Sequence, residues 1–145
     1  MDSQNDHNRI HEKLTDYWQE LRGDRPFPTE SDINPDSLAD IWDACFLIQV
    51  QGHSFHYAYL GTSLIEAYGN DLTNRDVCDR LIEPASPAMV HKCAEVVKTK
   101  NKAVDESEFT NTLGMRIKYR SCLLPLGDDA GEINYILGGM RWKAC

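Results

Sequence analysis

The chain has 145 residues, 41% of them hydrophobic and 26% charged, with a formal net charge of −8. These values fit one globular domain of about 100–150 residues, and the acidic balance works against nucleic acid or anionic lipid as a partner. No segment approaches the ~20 apolar residues of a membrane helix, and the polar, acidic start Met1-Asp2-Ser3-Gln4-Asn5-Asp6 lacks the apolar stretch of a signal peptide, so a cytoplasmic protein is expected.

From about His7 to Arg22, Ile10, Leu14, Tyr17, Trp18 and Leu21 form the stripe of an amphipathic helix that Gly23 can stop. The steps of four, three and four also suit a helix–helix seam. Arg25-Pro26-Phe27-Pro28 is too rich in proline for a helix. Asn34-Pro35-Asp36 then opens a short helix through Leu38, Ile41 and Trp42. Cys45 to Gln51 and Phe55 to Leu60 are strands of a hairpin turned at Gly52-His53-Ser54. Thr62 can cap a short helix carrying Leu64, Ile65 and Tyr68, which Gly69 ends. Asn70 to Glu83 is expected as loop with a helical turn or two. A longer helix, about Ala88 to Lys100, follows Pro84 and Pro87 and puts Met89, Val90, Cys93, Val96 and Val97 on its apolar side.

The last third reads as strand. Ala103 to Thr112 leads into a Leu113-Gly114 turn. Met115 to Leu126 alternates, with Met115, Ile117, Tyr119 and Leu123 on one face and Arg116, Lys118, Arg120 and Cys122 on the other. Gly127 to Gly131 is a polar turn before a final strand from Glu132 to Lys143. Short connections force antiparallel neighbours, so the class is α+β rather than doubly wound. The five cysteines (Cys45, Cys78, Cys93, Cys122, Cys145) are odd in number and never spaced as C-x-x-C. They are expected as reduced thiols, with no metal site.

This order of elements resembles a PAS domain, a five-stranded antiparallel sheet with helices inserted after the second strand. The chain is similar to a bacterial family of short, stand-alone PAS-like proteins. The resemblance runs from about Tyr17 to Gly139. Tyr17-Trp18, Leu21-Arg22-Gly23, Arg25, Pro28 and Asp32-Ile33-Asn34-Pro35 carry its first part. Phe55-His56-Tyr57, Gly61-Thr62, Gly69, Asp71-Leu72-Thr73 and Leu123-Leu124-Pro125-Leu126 carry the rest. It implies an N-terminal helical extension over residues 1–43, a PAS-like core over 44–145, and a sensory or regulatory role. Two departures stand out: Asn74 replaces the usual glycine at a left-handed position, and the second strand carries His56 and Ala58 where basic residues are common.

His91 lies on the helix from which haem-binding PAS domains supply an iron ligand, but off that helix's main apolar stripe. His53 and His56 read as solvated, and His7 and His11 lie on the first helix without a metal partner. Light-sensing PAS domains attack flavin with a cysteine in Asn-Cys-Arg-Phe-Leu-Gln, whereas this chain has Val77-Cys78-Asp79-Arg80-Leu81-Ile82. Neither haem nor flavin is therefore expected, and the cofactor stays unnamed. There is no nucleophile elbow, P-loop or G-x-G-x-x-G, and the enzymatic alternative is a small cone-shaped α+β enzyme. Arg116, Lys118 and Arg120 could bind an acidic partner, or pair with Asp105, Glu106 and Glu108 across the sheet. Phe55, Tyr57 and Tyr59 share one strand face. Tyr57, Tyr59, Tyr68, His91 and Tyr119 are the candidate lining of a small-molecule pocket, the tyrosines equally being core filling. The expectation is a homodimer in contact through the first helix, the alternative being that this helix's strip folds back on its own sheet, with a small-molecule ligand, a signalling partner, or both.

Overall fold

The computed structural model describes residues 3–84 and 87–145, with side chains described from residue 10 onward. Helix α1 (Ser3–Arg22) leads through three short 3-10 turns, Glu30–Asp32, Pro35–Leu38 and Trp42–Ala44, into β1 (Cys45–Gln51) and β2 (Ser54–Leu60). Helix α2 (Thr62–Tyr68), an irregular segment and helix α3 (Ala88–Thr99) follow, then β3 (Ala103–Thr110), β4 (Arg116–Gly127) and β5 (Ile133–Ala144). The strands make one antiparallel sheet in the order β2-β1-β5-β4-β3. This is the α+β class and the five-stranded arrangement that the sequence implies. Asn74 takes the left-handed conformation (φ 68°) in the glycine position noted above.

Helices cover the inner face of the sheet and part of the outer one, where the charged rows of β3 and β4 stay exposed. The inner face carries Phe46, Ile48, Tyr57, Phe109, Ile117, Tyr119 and Leu123 against α2 and α3, with Met89, Cys93 and Val96 of α3 buried. The outer face takes α1, whose Ile10, Leu14 and Trp18 are buried on it, and the Trp18 indole N–H donates to the Pro125 carbonyl at 2.8 Å. The Gly138-Gly139 step in β5 makes both layers fit. A Cβ at Gly138 would run into the Phe46 ring on the inner side. One at Gly139 would come to 2.5 Å of Leu14 Cδ1 and 2.9 Å of Ile10 Cγ2 on the outer side. Pro125 sits where β4 outruns β3, whose pairing ends at Leu123, so its missing N–H breaks no rung of the ladder.

Several expectations change. The strip Ile10, Leu14 and Trp18 lies on the chain's own sheet, not in a seam with a second subunit, because the outer face offers apolar surface to cover. For the same reason Cys122, read as part of the polar face, is 4% exposed, and β4 is buried on both faces from Ser121 onward. Met115 precedes β4 and is 41% exposed. Gly61, not Thr62, is the N-cap of α2. The segment after Gly69 has the expected turns, with the Asp79 N–H donating to the Asp76 carbonyl and the Leu81 N–H to that of Cys78, and adds isolated bridges to β2 and β3.

Candidate functional site in the inner layer

Tyr57 comes from β2, Tyr68 from the last turn of α2, Tyr119 from β4 and Asp105 from β3; none is more than 4% exposed. The Tyr57 and Tyr68 hydroxyls hydrogen-bond at 2.5 Å, and the Tyr119 hydroxyl donates to Asp105 Oδ2 at 2.5 Å. Strands β2 and β3 are the two edges of the sheet, yet rings connect them across its curved face. Tyr57 meets Tyr68 at 5.9 Å between centroids, Tyr68 meets Phe109 at 5.2 Å, and Phe109 meets Tyr119 at 5.7 Å. Asn111, fully buried, fastens the rim: its amide donates to the Ala67 carbonyl at 3.0 Å while its oxygen accepts from Leu113 and Met115.

Burial pushes both the Tyr57 and Tyr68 phenols well above their ordinary range, and it raises Tyr119 too, helped by the Asp105 carboxylate. Burial also raises the Asp105 carboxyl, while the Tyr119 hydrogen bond and the Lys92 charge pull it down. Burial raises Cys78 to about 12 and Cys122 to about 11. The thiols of Cys45 and Cys93 are held higher still by the same cause. These four cysteines are therefore thiols at neutral pH, and none offers the thiolate that nucleophilic chemistry needs. Among the described residues no group of three or more His, Cys, Asp or Glu side chains could hold a metal ion. Nor is any helix among them long and apolar enough to cross a membrane.

Of the five candidate lining residues the structure brings three together, Tyr57, Tyr68 and Tyr119. Tyr59 leaves the group because β2 slips register between its pairs Tyr59–Leu47 and Tyr57–Ile48. This bulge at Ala58 turns Tyr59 to the outer face. There its ring stacks on Trp42 at 4.4 Å, and its hydroxyl donates to the Trp42 carbonyl. His91 is exposed on α3. It lies two residues from both Met89 and Cys93, hence about 200° around the helix from the buried side. His56 pairs with Asp76 at 2.8 Å. His11 has a partner, and the side chain of His7 lies outside the described residues. The basic stripe meets its acids as the register allows: Lys118 faces Glu108, Arg120 faces Glu106, and Arg116 Nε donates to Glu108 at 3.0 Å. Asp105 does not belong with those acids. It sits on the inner face opposite Ser121, the one member of the site that sequence reasoning placed on the wrong side.

A family model described as PAS domain matches residues 7–141, which is nearly the whole chain. The chain belongs to the PAS domain family. This PAS protein is similar in structure to a light-oxygen-voltage domain studied with a flavin analogue (TM-score 0.61, 13% identity, 74% of this chain and 82% of that one). It is also similar to the N-terminal domain of a diguanylate cyclase with PAS/PAC sensor from Marinobacter aquaeolei (TM-score 0.55, 19% identity, 67% and 91%). A third likeness is to the PAS domain of the fruit-fly ELK potassium channel (TM-score 0.54, 14% identity, 75% and 96%). At these identities the likeness is one of fold alone. No curated protein matches the sequence significantly.

The residues of the inner layer do not fit a flavin. The ring chain from Tyr57 to Tyr119 already fills the layer between sheet and helices. Cys78 is buried beside Tyr57 and Tyr68 in a left-handed conformation (φ 63°), without the asparagine and glutamine of the flavin-binding motif. Nor do they fit haem, because α3 turns Met89, Cys93 and Val96 inward, not His91.

Proposed function

We propose that this PAS protein is a sensory or regulatory module of the bacterial cytoplasm, without catalytic chemistry of its own. In this reading residues 44–145 form the sensing core and residues 1–43 the extension through which the signal leaves. One observation carries it: Tyr57, Tyr68, Tyr119 and Asp105 arrive from four elements and bury three hydroxyls and a carboxyl in one layer. Burying polar groups costs stability unless they find partners, and apolar side chains would fill the layer more cheaply. The hydroxyls and the carboxyl are suited to orient a small polar ligand that displaces the Tyr57–Tyr68 contact. The rival reading, a small cone-shaped enzyme, draws on the Asp105–Tyr119 pair as acid and base. The match to the PAS family over residues 7–141 favours the sensor.

Native mass spectrometry of freshly purified protein tests the reading. A retained small molecule, lost from Tyr57→Phe/Tyr68→Phe and Tyr119→Phe, supports it. Protein that carries nothing and is not stabilised by any of a set of small polar metabolites counts against a ligand and leaves an interaction module. The same spectra report subunit count. A homodimer belongs to this reading, formed through surfaces other than the buried strip of α1.

A further inference from the structure

The extension has a feature that the inner layer does not explain. Residues 1–43 hold 11 of the chain's 23 acidic residues and 4 of its 15 basic ones, a net charge of −7 out of −8. Part of that charge lines an open groove of ≈ 1120 Å³ between α1 and the segment of residues 32–38. Its floor is apolar, made by the fully buried Leu38 and the half-buried Tyr17 and Leu21. The far wall is fixed, because the Asn34 backbone N–H donates to the Tyr17 hydroxyl at 2.7 Å. Along the near wall run Glu12, Asp16 and Glu20, exposed and four residues apart. Like charges at that spacing cost helix stability. No ion pair among the described residues relieves them: Lys13, the base nearest in sequence, is paired with Asp40, and Asp32 is already held by Arg25 at 2.9 Å.

Starting from the reading that the extension docks a partner, we infer that this groove receives a basic amphipathic helix from another protein. The carboxylates repeat at about 6 Å along α1, the rise of four helical residues, and a facing helix with Lys or Arg every four residues meets them in step. Its apolar side then lies on Tyr17, Leu21 and Leu38. The volume exceeds the roughly 300–1,000 Å³ of small-molecule pockets and suits a segment of chain. A second copy is a poorer match, since the chain's basic stripe (Arg116, Lys118, Arg120) lies on a flat strand face already opposed by Glu106 and Glu108.

The probe is a synthetic leucine–lysine peptide of about 14 residues, long enough to be helical when bound, with lysines every four positions. Its control replaces leucine by serine at equal charge. Amide shifts in the full chain should cluster on α1 and residues 32–38. Affinity should fall about tenfold in Glu12→Gln/Asp16→Asn/Glu20→Gln at low ionic strength and stay unchanged in Glu106→Gln/Glu108→Gln. Circular dichroism confirms that the triple variant is folded. Equal affinity for the triple variant, shifts centred elsewhere, or equally tight binding of the serine peptide overturns the inference. Self-association of the wild type that the triple variant abolishes also overturns it, in favour of a second copy. The probe does not enter the inner layer, so failure here leaves the small-molecule reading to its own spectra.

Discussion

The sharpest test of how α1 is held joins two residues on opposite sides of one contact. Leu14 has no exposed surface and rests on Gly139, where a Cβ would sit 2.5 Å from Leu14 Cδ1 and 2.9 Å from Ile10 Cγ2. Leu14→Ala should cost about 3 kcal/mol, the loss of a buried leucine plus the cavity it leaves. Gly139→Ala should cost about 1–3 kcal/mol by overpacking, offset by the ~0.4–1 kcal/mol that alanine gains from a stiffer unfolded chain. The two changes are not independent. Truncating Leu14 removes the nearer of the two obstructing atoms, so the double variant should lose about 1 kcal/mol less than the sum of the singles. Urea unfolding followed by circular dichroism gives all four stabilities. Repeating it at two protein concentrations about tenfold apart separates an intrachain contact, whose midpoint stays put, from a subunit seam, whose midpoint moves. Additivity within about 0.5 kcal/mol would refute the packing argument, and a concentration-dependent loss in Leu14→Ala would refute the assignment of the strip to its own sheet.

Other consequences can be checked directly. Burial raises the Asp105 carboxyl above its ordinary 3.8, so the folded state holds that proton more tightly than the unfolded chain. Its contribution to stability is then present below the unfolded value and lost as pH rises through the folded one. Asp105→Asn, which cannot titrate, should gain on wild type in thermal melts as pH climbs from below 3.8 to neutral; a flat difference sinks the assignment. With Cys45, Cys78, Cys93 and Cys122 buried and Cys145 exposed, a thiol reagent should modify one cysteine quickly in native protein and all five after denaturation. A second fast thiol would contradict this packing. Tyr68→Phe leaves the Tyr57 hydroxyl without its 2.5 Å partner and should cost about 1–3 kcal/mol in urea unfolding. Adding Tyr57→Phe should cost less than Tyr57→Phe alone, and full additivity would argue that the hydroxyls do not interact.

Periodicity reached the elements of this fold but not always their faces. β1 and α3 stand close to where flanking glycine, proline and apolar spacing put them, because those signals act within a few residues. What covers an apolar strip is settled by distant surface, so spacing alone did not tell Ile10, Leu14 and Trp18 whether to meet a second subunit or the sheet. The residue that answers is Gly139, more than a hundred positions away. Tyr59 was lost to a single extra residue in β2, which reverses every side chain beyond it and leaves no mark in composition. Asp105 is different, because its signal was present. It shares parity with Ser107, Phe109 and Asn111, and an aromatic on that row marks the buried side of β3; Phe109 and Asn111 are both buried. Reading Asp105 with Glu106 and Glu108 as one charged stretch set composition above alternation, and in a strand alternation is the stronger constraint because backbone geometry enforces it. Given that parity, a carboxylate on the inner row calls for a buried donor. Tyr119, on the inward row of the neighbouring strand, is within reach as the diagonal neighbour across β3–β4. The pair at the heart of the candidate site thus follows from two alternation patterns and one register. Only the register, fixed by the Asn111-anchored turn between β3 and β4, required the structure.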